Sequence, residues 1–378
     1  MARGENCLIA VAGAPTAVTN CAIAGIIDEI GAGSEIADVY GAISGLAGFL
    51  DGKAVDLGAQ KRKVIEGLRR TPGSILSGRY RFFGESDGEA LIAALRGKDI
   101  GTLFLLGGLP ALELAKFAVE AAKTANYELV VLCLPLSAEN EVGAGDHTPG
   151  YGSAARFAAI ATRDASRGAQ GGEEPIVVLE FGGAGCGWLA ASSVLARDAQ
   201  NPAPHSILLP EREVNVEELV EEARRAYQKY GYAVIVTTDG AKDAAGEALD
   251  CATLTDLLSD KLNLPARYDK LGLSASVSGA NVARADSDEA YGLGGLVVRL
   301  AEDGTSGYAV ALGREGEGKG EKGYKVVEST LRFEQIEEYP RAVPAHFLTE
   351  NGTGVSEAFV EWAKPLIGGA LPEYTSLA

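Results

Sequence analysis
The sequence predicts an α/β protein of two three-layer lobes, each built on a mostly parallel sheet. Three observations predict it. From Cys7 onwards, short apolar runs alternate with segments of helical periodicity. The apolar runs are continuous rather than two-periodic, the pattern of strands covered on both faces by helices. The alternation breaks at 168–175, GAQGGEEP, and then restarts, so a second sheet is expected after a linker there. A chain of 378 residues is long enough for two such cores.

The elements follow in order. CLIAVAG (7–13) reads as a strand, followed by the turn GAPT and a helix to Gly31 carrying Val18, Ala22, Ile23, Ile26, Ile27 and Ile30 on one face. GSILSG (73–78) reads as a second strand and GEALIAALRGK (88–98) as its helix. TLFLLGG (102–108) and LPALELAKFAVEAAKTANY (109–127) form the third pair, and ELVVLCLPLS (128–137) is the next buried strand. The loop GDHTPGYGSAA (145–155) leads into a helix ending near Arg167. In the second series, strands are expected at IVVLEFGG, SILLP and YAVIVTTDG, with helices at GWLAASSVLAR, VNVEELVEEARRAYQKYG and ATLTDLLSDKL. SDEAYGLGGLVVRLAEDG is a further helix, SGYAVALGRE a strand, and GEGKGEKG (316–323) a hairpin turn. The first lobe is expected to span 1–170 and to be completed by part of 270–330. The second is expected to span 175–265 and to be completed by 330–378.

Composition narrows the function. The net charge is −18, which repels nucleic acid and anionic membranes, so neither is an expected partner. A phosphate ligand must then be met by local Arg, Lys, backbone N–H groups or a metal ion. The apolar run near the start is too short for a signal peptide or a membrane helix, and the expected location is cytoplasmic. Five scattered cysteines without a CxxC suit a reducing compartment and core filling, and three scattered histidines give no zinc spacing.

Ligands of open α/β sheets sit beyond the carboxyl ends of the strands. Six loops occupy such ends: AGAPT, SGRYR, GGLPA, PLSAENEVGAGDHTPGYG, EFGGAGCGW and TTDGAKD. In that order they resemble the phosphofructokinase family, most closely its pyrophosphate-dependent branch. GDHTPGYGSAARFAA resembles the branch's TDHTPGFGSAAK segment. GAPTAVTNCAIAGIIDE, GWLAASSVLAR, APHSILLPER, AYQKYGYAVIVTTDG and ENGTGVSEAFVEWAKPLIGG also match, so the likeness covers nearly the whole chain.

The resemblance implies two Rossmann-like lobes, a donor-phosphate lobe first and a sugar-phosphate lobe second. It also implies site residues. Gly13, Arg79, Arg81, Gly107 and Gly108 fall where the family binds its donor phosphate, Glu139 where its catalytic base stands, and Glu141 where its second aspartate stands. Asp146, His147 and Thr148 follow the catalytic run, and Gly183 and Asp239 fall in the sugar-phosphate lobe. Several positions depart from the pattern. The family's GGDD or GGDGS loop, whose aspartate serves Mg²⁺, is here Gly107, Gly108, Leu109, Pro110. PKTIDND is here Pro135 to Glu141, with Leu136 in place of the lysine and each aspartate replaced by a glutamate one methylene longer. MGR is Gly182, Gly183, Ala184, and an LQR-type segment is Leu273 to Ser276, so two arginines are absent.

Each signal also has a plainer reading. Asp146, His147 and Thr148 read as a turn and helix entry, the preferred reading for His147. Glu139 and Glu141 read equally as base and metal ligand or as solvated loop acids. Arg156 and Arg163 read as solvent-facing or interface residues, and Cys186 as small packing. The expected function is a phosphofructokinase-like paralogue with impaired catalysis and a regulatory or structural role, assembled as a homo-oligomer or with an active paralogue. The alternative is an active phosphotransferase, dependent on pyrophosphate or ATP and on Mg²⁺, acting on fructose 6-phosphate or a related sugar phosphate. In either case a sugar phosphate or pyrophosphate is the expected ligand.

Overall fold
The computed structural model describes residues 5–78, 81–183, 185–315 and 324–375. Arg79, Ala184 and the hairpin expected at 316–323 lie outside the described residues. The chain divides into two compact units. One comprises the described residues of 1–150, 284–316 and 325–340; the other comprises those of 151–283, 317–324 and 341–378.

The first unit opens with β1 (Asn6–Ala12), α1 (Thr19–Gly31), β2 (Val39–Ala42), α2 (Gly45–Leu50), β3 (Ala54–Asp56), α3 (Arg62–Leu68) and α4 (Glu85–Arg96). β4 (Ile100–Gly107), α5 (Leu109–Thr124) and β5 (Val130–Pro135) follow. The second unit holds α6 (Tyr151–Ala169), β6 (Ile176–Phe181), α7 (Trp188–Ser192), β7 (Ser206–Ile207), α8 (Val216–Tyr230), β8 (Ala233–Thr238), α9 (Cys251–Leu262), β9 (Ala266–Lys270) and α10 (Gly272–Ser276). The chain then returns to the first unit with α11 (Arg284–Glu302), β10 (Tyr308–Arg314) and β11 (Val326–Arg332), and ends in the second with α12 (Glu357–Ala363).

The first sheet has seven strands in the order β11-β10-β5-β4-β1-β2-β3. Its inner strands are parallel, and the antiparallel pairs β10–β11 and β2–β3 close its two edges. The second sheet, β7-β8-β6-β9, is parallel throughout. The expected fold class is therefore the observed one. β1, β4, β6 and β8 are buried along almost their entire length, which is why their sequences read as unbroken apolar runs. Local signals set the helix ends. Asn215 Oδ1 accepts from the N–H groups of Glu217 and Glu218 at the start of α8, and Gly231, at φ 80°, closes its far end. α11 completes the first unit by packing on α1 at very close range. A Cβ on Gly25 would lie 2.1 Å from the Tyr291 carbonyl oxygen, so only glycine admits the approach.

Three expectations need correction. GSILSG (73–78) is irregular, and the place beside β1 is taken by β2, with β3 beyond it at the sheet edge. Pro72, Gly73 and Ser77, the last at φ 48°, keep that segment out of the ladder, while Leu76 still plugs the core. Second, α6 runs through the start of the expected linker to Ala169, and the chain passes between units at Gly150 and Tyr151. Apolar burial draws α6 into the second unit. Tyr151 is fully buried there, its ring 6.5 Å from Trp188 and 5.7 Å from Trp362. Third, Arg156 and Arg163 are neither solvated nor free. Arg156 donates to the carbonyls of Ile367, Gly369 and Ala370; Arg163 donates to those of Ala196 and Pro372 and pairs with Asp198 at 2.8 Å. Guanidinium groups with several fixed donors are suited to tying down such a terminal segment.

All five cysteines are buried free thiols. Burial pushes the Cys133 thiol up to about 12, so it serves as packing and not as a nucleophile. No helix among the described residues is long and apolar enough to cross a membrane.

Candidate active site
In the first unit, parallel register brings three loops together. Ala12 pairs with Gly107, and Gly107 with Pro135, so β1, β4 and β5 end side by side. The strand order reverses between β1 and β4, because β2 lies on one side of β1 and β4 on the other. Such a switch point opens a crevice at the carboxyl edge. Gly13 and Arg81 line one cavity of about 150 Å³ there, with Phe82, Phe83, Pro110 and Phe117. Arg81 is half-exposed and pairs with Asp87 at 2.5 Å.

The N-terminus of α5 faces the same edge. A helix end of this kind offers backbone N–H groups to an anion. Here few are left to offer. Pro110 has no N–H, and that of Ala111 donates to the Gly108 carbonyl at 3.0 Å. The Leu109 N–H donates to Glu141 Oε1 at 3.3 Å. Gly108 makes room for this carboxylate, since a Cβ there would lie 2.1 Å from Glu141 Oε1. Burial raises the Glu141 carboxyl above the usual range, and the Leu109 N–H opposes the shift. The anion at this helix end is thus one of the chain's own side chains. The segment Gly107–Pro110 carries no side-chain oxygen.

Glu139 and Glu141 belong to a loop that leaves β5 and returns before α6. Ser137 N–H donates to the Pro149 carbonyl at 3.0 Å and closes its base. Glu139 N–H donates to Ser137 Oγ at 3.1 Å. Gly150 N–H donates to Asp286 Oδ1 at 2.6 Å. The segment of Asp146, His147 and Thr148 lies against β10 and α11. Asp146 N–H donates to the Leu312 carbonyl, and Arg314 Nη2 lies 3.0 Å from Asp146 Oδ2. The His147 ring is buried, with Nδ1 3.0 Å from Asp146 Oδ2 and Nε2 2.9 Å from Glu289 Oε2. Burial alone lowers a histidine. The two carboxylates outweigh it and hold His147 at about 9, so at neutral pH both ring nitrogens donate. These contacts give His147 a structural place in the loop wall.

In the second unit, Gly183 at φ 131° follows β6 and Asp239 follows β8, on an exposed turn. Between them in sequence stands a residue missing from the sequence-predicted set. Glu211 follows β7 in LLPERE. Its Oε1 accepts from the N–H groups of Gly187 and Val343, each at 2.8 Å, and its Oε2 is buried with no hydrogen-bond partner among the described residues. A buried carboxylate oxygen left without a donor is costly, and such exceptions gather where ligands bind. The signal that could have found it is positional: an acid directly after SILLP, at a strand's carboxyl end.

The family model for phosphofructokinase matches residues 6–286. The chain belongs to the phosphofructokinase family. It is 28% identical to the pyrophosphate–fructose 6-phosphate 1-phosphotransferase of Rhodospirillum rubrum, over 97% of this chain and 95% of that one. It is 29% identical to the sulfofructose kinase of Alkalicoccus urumqiensis, over 81% of this chain and 83% of that one. The crystal structure of the pyrophosphate-dependent phosphofructokinase of Nitrosospira multiformis superposes with a TM-score of 0.90 at 25% identity, covering 98% of this chain and 94% of that one.

Proposed function
We propose that the protein is a phosphotransferase that moves a phosphoryl group from pyrophosphate or a nucleoside triphosphate to a hydroxyl of fructose 6-phosphate or a related anionic fructose such as sulfofructose. The observation that carries this reading is the carboxylate pair Glu139 and Glu141 on the loop after β5, at the carboxyl edge where Gly13, Gly107 and Gly108 also turn. Near-full-length relatives that bear these activities in their names support it.

In this reading Glu139 takes the proton of the attacking hydroxyl, with Gly13, Gly107, Gly108 and Arg81 on the donor side; Arg79, outside the described residues, is assigned there from sequence alone. Taken by itself, the second unit carries Gly183, Asp239 and Glu211, whose Oε2 has no hydrogen-bond partner among the described residues and is open to a sugar hydroxyl. Phosphoryl transfer relies on positioning and charge stabilisation, so these placements matter more than any one group. The described residues contain no cluster of three or more acidic, His or Cys side chains for a metal. Mg²⁺ binds through one or two carboxylates together with substrate phosphates. The residues fit an ion that arrives on the donor, with Glu141 as its side-chain ligand; such an ion neutralises charge on the donor phosphates.

One observation favours a second reading, a catalytically impaired paralogue. Glu141 already takes the Leu109 N–H at the α5 N-terminus, the adjoining Gly107–Pro110 segment has no oxygen ligand, and Leu136 is buried where the branch's motif has lysine. A coupled assay with fructose 6-phosphate, and separately sulfofructose, run with Mg²⁺ and either pyrophosphate or ATP, decides between the two. Turnover that Glu139→Gln abolishes establishes the phosphotransferase. Absence of turnover with every pair, with the sugar phosphate still raising Tm, establishes the impaired paralogue.

A further inference from the structure
We propose that Asn140 is a positioning residue that sets the direction in which Glu139 and Glu141 project from the loop after β5. The inference rests on the phosphotransferase reading for its kinetic consequence, but its structural basis is independent.

Asn140 stands between the two carboxylates with its backbone at φ 54°, the left-handed region that asparagine tolerates better than most residues with a Cβ. One left-handed residue redirects the chain, so its two neighbours need not project as in an extended strand. The side chain is fully buried and ties the loop across its width. Oδ1 accepts from Thr148 N–H at 3.0 Å and from Thr148 Oγ1 at 3.4 Å. Thr148 in turn lies beside the Ser137–Pro149 bond that closes the loop. The amide also carries a penalty, because Nδ2 is buried without an acceptor among the described residues. A left-handed backbone and an unmatched buried donor meet in one residue, and that residue separates two candidate catalytic carboxylates. Local cost concentrated in this way points to a geometric demand that the loop must meet.

The test uses the full chain and two variants. Asn140→Gly keeps the left-handed backbone and loses the tie; Asn140→Asp keeps Oδ1 and tolerates the same backbone. The expected result for Asn140→Gly is a kcat lower by about 10- to 100-fold, since misplacement by ~1 Å costs on that order. KM for either substrate stays within about threefold, and Tm stays close to wild type. A wild-type kcat in Asn140→Gly overturns the proposal, as does a loss of kcat matched by a collapse of Tm in both variants.

If the wild type turns over no substrate pair, the phosphotransferase reading fails on its own, and amide hydrogen exchange still tests positioning. Faster exchange at Thr148 and at Leu109 in Asn140→Gly, with Thr148 still protected in Asn140→Asp, sustains it. Unchanged protection of Leu109 in Asn140→Gly overturns it, because the Leu109–Glu141 bond would then not depend on Asn140.

Discussion
The carboxyl edges of the two sheets are furnished in opposite ways. In the first unit the acceptor oxygens of Asn140 and Glu141 at this edge are met from within, although Asn140 Nδ2 is not. Glu141 takes the Leu109 N–H, Asn140 takes Thr148, and His147 lies between Asp146 and Glu289. In the second unit the corresponding edge keeps an acceptor in reserve, the buried Glu211 Oε2. Both edges come from the same βα architecture, so the difference lies in the loop side chains alone. The buried His147 and the half-buried His205 show a similar contrast. His147 is held protonated by two carboxylates. His205 is held neutral by burial and the nearby Arg197, and is lowered to about 4.

Several measurements break or sharpen this contrast. The largest expected effect is from Glu139→Gln, which should lower kcat by at least ~100-fold, the usual share of a general base, with little change in KM. Steady-state kinetics with the donor that supports turnover measures it. Next is Glu211→Gln. It keeps the Oε1 acceptor for Gly187 and Val343 but removes the charged Oε2, so kcat/KM for the sugar should fall by roughly 10- to 100-fold, on the order of one charged hydrogen bond. The donor KM should stay where it is; an equal effect on the donor would erase the distinction between the edges.

A third change acts on stability. His147→Phe removes the cation that lies between Asp146 and Glu289 and should cost about 3 kcal/mol in urea unfolding near neutral pH. The smallest effects are in pH dependence, and their signs oppose. His147 has a folded pKa raised above the unfolded value. Its contribution is full below the unfolded pKa near 6.5 and is lost as pH rises through about 9. His205 is depressed instead, so the neutral form is the one that folds. Stability falls as pH drops below the unfolded value and levels off near 4. Unfolding curves of His147→Phe and His205→Phe across pH should therefore lose their histidine-dependent slopes at opposite ends of the range.

Much of this was legible beforehand, for physical reasons that differ by residue. β1, β4, β5, β6 and β8 could be read because burial on both faces leaves an unbroken apolar run. α8 could be read because Asn215 and Gly231 mark its ends within a few residues. β9 was not expected, since ARYDK at a sheet edge is half solvated and reads as polar. GSILSG misled in the other direction, because Leu76 is core without being strand. At the site, the placing of the loops after β1, β4 and β5 at strand ends followed from the alternation, whereas the register of Ala12, Gly107 and Pro135 did not. Glu211 did not stand out, because its meaning lies in an oxygen that nothing reaches, and a sequence records residue types rather than unmet partners.

The sequence by itself determined the layered α/β architecture and the family, because periodicity, caps and loop residues act over a few positions at a time. Only the tertiary structure decided that Glu141 folds back onto a backbone N–H 32 residues away, and that Arg156 holds a carbonyl 214 residues away. It alone decided that α6 packs with the second unit. Such choices depend on which distant surfaces exclude water together and which polar atoms they leave paired, and no local pattern carries that information.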